Sequence, residues 1–332
     1  MPNLPKPRLR RGTRTAVEPH PAPASPESNI EEVAHGGLRW INIERPSASD
    51  YAWLEEHFDF HPLAYEDVRS RNQRPKLDEY PEYLFIVLHL PVFDKAAGRL
   101  IAGELDIFLG PDYIITLPNQ PGLQALEYLY ERCRSSEELR EALFTKGTGY
   151  LLYKIVDDSI DYCFPMLRKM GNKIDRYEED LHSGESEELV RNISNVKQET
   201  INFRSIIRPQ RNVLRDLERT KHRYVADDLD VYFDDIVDAS ERIWDMLETF
   251  KEKVQALEET NESVLSHRTN DAVRVLTSIS LILLPLTLIA SIFGMNVRVP
   301  GEGSLGAFWV VVLGMVLLLV GLVAYFKRRK FL

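Results

Sequence analysis

Two runs without a charged residue stand close together near the end of the chain, 275–293 and 307–326. Each approaches the ~20 residues that a helix needs to cross a hydrocarbon core of ~30 Å. Upstream, residues 38–43, 83–93, 104–110 and 113–118 are rich in β-branched and aromatic side chains between turn signals, which predicts strands. Helical patterning is expected over 50–58 and 61–68. After Pro121 it runs almost without relief, over 122–142, 146–182, 186–222 and 229–293. Pro165 and Pro209 are expected to start or kink helices. The last helix would be ~90 Å long at 1.5 Å per residue, a length that stays ordered only beside partners.

That long helix carries two seams. Ile236, Ile243, Leu247, Phe250, Val254, Leu257 and Val264 form an apolar one with heptad-like spacing, as ordinary helix packing requires. The second is found by counting back from Ser291 in alternating steps of four and three. It passes through Thr287, Leu284, Ser280, Thr277, Val273 and Asn270, then through Ser266, Glu259, Glu252 and Asp245 to Asp235. It is mostly small or polar, even through the apolar run. Polar side chains at bilayer depth face a bundle interior or a water-filled path. Hydroxyls can also bond their own helix carbonyls, and small residues can simply ease helix packing. A continuous stripe of this kind favours a pore, and since one helix cannot enclose a pore, a ring of copies is expected.

Charge sharpens this picture. The chain has 332 residues, 41 Lys+Arg against 51 Asp+Glu, and a formal net charge of −10, which argues against nucleic acid and suits cations. Lys327, Arg328, Arg329 and Lys330 follow the second apolar run, and Arg268 and Arg274 precede the first. The positive-inside rule then puts both termini in the cytoplasm and the short loop outside, in a protein of the cell (inner) membrane. Residues 1–29, rich in Pro and Arg without an apolar segment, read as a disordered tail. Cys133 and Cys163 form no C-x-x-C pair, so neither a disulfide framework nor a thiolate zinc site is expected. The eight His residues show no H-E-x-x-H spacing, and there is no phosphate-binding glycine loop or nucleophile motif, so an enzyme is not expected. Residues 227–245 hold eight acids and one base. Such a run is usually a solvated helix face, but repeated around a ring it calls for cations between the carboxylates.

Where the first apolar run ends stands Gly294-Met295-Asn296. With the segment 269–297, the basic C-terminus and the stretches 61–80, 150–164 and 231–238, this tripeptide resembles the CorA family of divalent-cation channels. The likeness covers nearly everything after residue 30. It implies an α+β cytosolic domain with a long helical stalk and two C-terminal transmembrane helices, in a funnel-shaped homopentamer. The division expected is 30–145 for the α/β domain, 146–274 for the stalk, 275–293 for the pore-lining span, 294–306 for the external loop, 307–326 for the second span and 327–332 for a basic cytosolic tail. Members of the family carry Mg2+, often with Co2+ and Ni2+, inward down the electrochemical gradient.

In that setting a ring of Asn296 amide oxygens would hold a hydrated Mg2+ without stripping it, with Gly294 keeping the backbone close and Met295 packing the turn. Leu284, Leu276 and Val273 would be apolar constrictions that gate by dewetting, and Asn270 a second polar ring. The resemblance also places Mg2+ sensors between subunits, Asp67 of one chain facing Asp235 of its neighbour with Glu66 and Asp157 nearby. Family members often follow the tripeptide with an aromatic and an acidic loop motif. Val297-Arg298 stand here instead, and Glu302 is the loop's one acid. Zinc-transporting relatives usually vary the middle residue, so Met295 favours Mg2+ or Co2+. The competing readings are a Zn2+ transporter of the same superfamily and, in a different class, a membrane-anchored coiled-coil scaffold or receptor. The scaffold would need no polar stripe inside the bilayer.

Overall fold

The computed structural model describes residues 29–70, 73–94, 98–183, 187–220, 223–225, 227–295 and 304–329. The expectations for residues 1–28, for Asn296 and the loop up to residue 303, and for the last three residues lie outside these.

A six-stranded sheet organises the N-terminal part. Its strands are β1 (Ile30–His35), β2 (Leu38–Ile43), β3 (Lys76–Glu79), β4 (Leu84–Asp94), β5 (Arg99–Leu109) and β6 (Tyr113–Pro118), in the order β1-β2-β6-β5-β4-β3. All neighbours are antiparallel except β2 and β6. Both faces are covered, which is why 83–93 reads as an apolar run interrupted only at His89 and not as an alternation. Phe85 and Val87 join Ile41, Phe108 and Ile115 under helices α1 (Ala48–His57) and α2 (Pro62–Ser70). Leu84, Ile86, Leu88 and Leu90 face the other way, into a core that continues without a break to Leu257. Helix α1 starts at Ala48 because Ser47 and Asp50 form a reciprocal capping box.

The helical part lies on the far face of the sheet. The region 122–142 is divided into α3 (Gln124–Ser135) and α4 (Glu137–Phe144), because Ser136 caps the second helix through Leu139 N–H. Then come α5 (Thr148–Asp161), α6 (Cys163–Ser183) with Pro165 in its first turn, and α7 (Glu187–Arg219) with Pro209 inside it. Helix α8 (Asp230–Phe293) runs for 64 residues, and α9 (Leu305–Arg328) follows. Helices α7 and α8 run antiparallel. The order is fixed by ion pairs of Lys197 with Glu258 (2.6 Å), Arg204 with Glu248 and Arg211 with Glu241. The guanidinium groups of Arg204 and Arg211 each lie over the ring of Trp244, 5.1 Å from its centre. The C-terminal part of α8 and the whole of α9 are long and apolar enough to cross a membrane.

Candidate ion pathway and cytosolic cation site

Helix α8 separates its two seams as the heptad spacing requires. Ile236, Ile243, Leu247, Phe250, Val254 and Leu257 are buried, and Val264 is half-buried. Every position of the small and polar stripe from Asp235 to Ser291 is exposed in the single chain. In the membrane half the buried positions are Ser278 and Ile282, on a different face from Thr277, Ser280, Leu284 and Thr287. The apolar members of the proposed gate are bare: Leu284 is 71 % exposed, Leu276 65 % and Val273 55 %. Asn270 is exposed as well.

Ser280 Oγ donates to the Leu276 carbonyl at 3.0 Å and Thr287 Oγ1 to that of Leu283 at 2.9 Å. The bond of a hydroxyl to its own helix, one of the two roles open from sequence, is therefore made at these positions. It uses the hydroxyl hydrogen and leaves oxygen lone pairs, the acceptors that water hydrogens around a cation need. Pro285 stands inside the same turn and cannot donate a backbone hydrogen bond. The helix closes at Gly294, whose N–H donates to the Ala290 carbonyl at 2.9 Å. Met295 is exposed in the single chain.

The four carboxylates of the expected sensor fall into two groups. Glu66 and Asp67 lie on α2, on one face of the sheet, with Glu66 exposed and Asp67 half-buried. Asp157 on α5 and Asp235 on α8 belong to the layer on the other face, and both add to the negative field that raises the pKa of Asp161, after burial itself. No group of three or more metal-ligating side chains gathers within one chain among the described residues. A site built from Asp67 and Asp235 therefore needs two copies of the chain. The donors present are hard carboxylate oxygens, which fit Mg2+. Burial pushes the thiol of Cys133 up to about 11 and that of Cys163 up to about 12, so neither supplies a thiolate for a softer ion.

Sequence reasoning missed the lysines at these carboxylates. Lys76 Nζ lies 2.6 Å from Asp67 Oδ2 and 2.5 Å from Asp78 Oδ2. Lys154 Nζ lies 3.0 Å from Asp157 Oδ2 and 2.7 Å from Asp158 Oδ1. The second clamp has the i, i+3 and i, i+4 spacing that a helix reading can find; the first joins a helix to a strand and has no such signal.

The family model for a CorA-like Mg2+ transporter protein matches residues 35–328, taking in the sheet, the helical layer and both apolar helices. The cobalt/magnesium transport protein CorA of Thermotoga maritima is 32 % identical over 295 residues, covering 88 % of this chain and 83 % of that protein. The fold also matches the complete CorA magnesium transporter structure from Methanocaldococcus jannaschii, with a TM-score of 0.78 at 19 % identity over 91 % of this chain and 94 % of that one. The structure of the full-length CmaX protein gives a TM-score of 0.71 at 20 % identity, covering 88 % of each chain. With an exposed polar stripe running into an apolar span, a two-helix C-terminus and a match along nearly its whole length, the chain belongs to the CorA-like Mg2+ transporter family.

Proposed function

We propose that five copies of this chain form a funnel-shaped ring that passes Mg2+, and Co2+ with it, into the cytoplasm down the electrochemical gradient. The observation that carries this reading is the stripe of α8. It is mostly small or polar, exposed along its full length, and set apart from the seam that packs the chain's own core. Copies brought together on that stripe bury it around a shared axis, with the Ser, Thr and Asn oxygens facing a hydrated ion. Leu284, Leu276 and Val273 then narrow the path with apolar rings, and Asn296 stands at its outer end as the selecting acceptor. The domain division follows: 30–145 and 146–274 form the cytosolic funnel, 275–293 the inner ring of helices, 307–326 the outer ring, with both termini inside. A divalent ion moving inward gains roughly 4.6 kcal/mol per 100 mV, so no nucleotide is needed.

Mg2+ between Asp67 of one copy and Asp235 of the next, with Glu66 and Asp157 beside them, would hold the ring closed and lower uptake as the cytosolic level rises. The test is flux into proteoliposomes with Mg2+, Co2+, Ni2+ and Zn2+ compared. The expected result is membrane-potential-driven Mg2+ and Co2+ entry without ATP. Entry of Zn2+ with no Mg2+ flux would replace this reading with a zinc transporter, and no flux of any cation would leave the chain a membrane-anchored scaffold.

A further inference from the structure

Each half of the cytosolic cation site carries the same small device. On α2 and β3 one ammonium, Lys76, sits between the carboxylates of Asp67 and Asp78. On α5 one ammonium, Lys154, sits between those of Asp157 and Asp158. In each clamp one carboxylate is assigned to the metal and the other is not. Glu66 and Asp235, the other two carboxylates of the site, are exposed in the single chain. We propose that Lys76 and Lys154 are resident cations of this site, which hold its carboxylates while no metal is bound and set by competition the Mg2+ level at which the metal takes over.

The proposal rests on the reading of Asp67 and Asp157 as metal ligands, and two features support it. First, each ammonium group makes a charge-assisted contact with one oxygen of the carboxylate a cation would use, Oδ2 of Asp67 and Oδ2 of Asp157, so an arriving Mg2+ meets a carboxylate whose charge is already partly neutralised and must compete with the lysine for it. Second, displacement is cheap, because Asp78 and Asp158 remain as seats for the two lysines. An ammonium left with no carboxylate in a half-buried place would oppose metal binding much more strongly. Each clamp thus presents two negative charges and one positive one to an arriving ion. A sensor that must ignore low Mg2+ and respond to high Mg2+ is helped by weakened attraction of this kind.

The experiment measures the Mg2+ concentration that half-protects the purified full-length protein from proteolysis, in wild type and in Lys76→Gln, Lys154→Gln, the double variant and Lys76→Arg. Asp67→Asn reports on the metal site itself, and Lys197→Gln, which breaks the distant pair with Glu258, is the control. Each Gln variant is expected to lower the midpoint roughly threefold, the worth of a partly exposed ion pair, and the double variant more. Lys76→Arg and Lys197→Gln should stay near wild type. Unchanged or raised midpoints in the Gln variants, with Asp67→Asn raising its own, would overturn the proposal and leave the clamps as structural ion pairs. An Asp67→Asn midpoint equal to wild type would instead sink the metal-site reading on which the proposal stands. If Lys76→Gln does not fold, Lys154→Gln tests the same competition from a different helix.

Discussion

Asp106 lies inside the sheet domain with 1 % of its surface exposed. The Asn119 side-chain amide donates to Asp106 Oδ2 at 3.2 Å and to Glu104 Oε1 at 2.7 Å, and Asp106 Oδ1 has no partner. Burial first, and the neighbouring Glu104 second, push the Asp106 carboxyl well above the ordinary carboxylate range; Asn119 and Lys76 only partly offset this, and Asp67 adds to it. A carboxyl with its folded value raised binds more protons folded than unfolded. Its contribution to stability is full below the unfolded value and is lost as pH rises through the folded one. Melting temperatures of the Mg2+-free protein should therefore fall from mildly acid to mildly alkaline pH. Asp106→Asn, a neutral group of the same shape, should flatten that slope and melt higher than wild type at the alkaline end. An unchanged slope would mean that Asp106 is not the titrating group. For the proposed selecting residue, Asn296→Ala should abolish cation selection and most uptake while leaving a membrane-inserted oligomer, and normal Mg2+ flux would remove Asn296 from the selecting role.

Between elements, a close approach joins the start of α5 to the segment that leads into α8. A methyl group on Gly149 would run into the carbonyl oxygen of Tyr224, a backbone atom with little room to yield, and would meet Leu229 at 3.0 Å. Gly149→Ala is expected to cost about 1–3 kcal/mol of stability through overpacking, seen as a lower melting temperature with cation preference intact. Much of this scale was legible beforehand. Strands 38–43 and 113–118 have the expected bounds, and α8 begins one residue from the expected 229 and ends where expected at 293. The apolar seam of α8 was readable because burial on one helix face leaves a 3.5-residue trace. Strands β1 and β3 were not readable: IEEVAH and KLDE are short, charged edge strands whose pairing is set by β2 and β4 and not by their own patterning. The break between α3 and α4 rests on a single capping serine, Ser136, inside an otherwise helical pattern, which gives little signal along the chain. The Lys76 clamp escaped because its partners Asp67 and Asp78 come together only when α2 folds over β3. The candidate stripe was legible because exposure and polarity repeat along one helix, whereas the sensor depends on elements far apart in the chain.

At the scale of the assembled molecule, Asp67 and Asp235 stand on opposite faces of the sheet within one chain, so a metal between them links copies. A ligand that binds only the closed ring shifts the closed–open balance by RT ln(1 + [L]/Kd) per site, about 1.4 kcal/mol when free Mg2+ is ~10 Kd. In the proposed ring of five copies, five such sites would contribute roughly 7 kcal/mol, more than the ~5.5 kcal/mol that moves a two-state equilibrium from 1:99 to 99:1. The gate itself should be local: Leu284→Gly is expected to raise leak at high internal Mg2+, because removing an exposed apolar ring lets a narrow path stay wet. The sensor should be distributed. Asp235→Asn takes one ligand charge from every site at once, so closure should require more Mg2+ and currents should persist at millimolar internal concentrations. Asp235→Lys removes the ligand but places a fixed cation opposite Asp67, favouring closure even without Mg2+. The lysine of the second variant does what the metal does, so the two substitutions at one position must move the gate in opposite directions. Current recorded from patches while internal Mg2+ is stepped reads this directly. If wild type and Asp235→Asn shut at the same Mg2+ concentration, or if both variants shift closure the same way, Asp235 is not a ligand of the sensor.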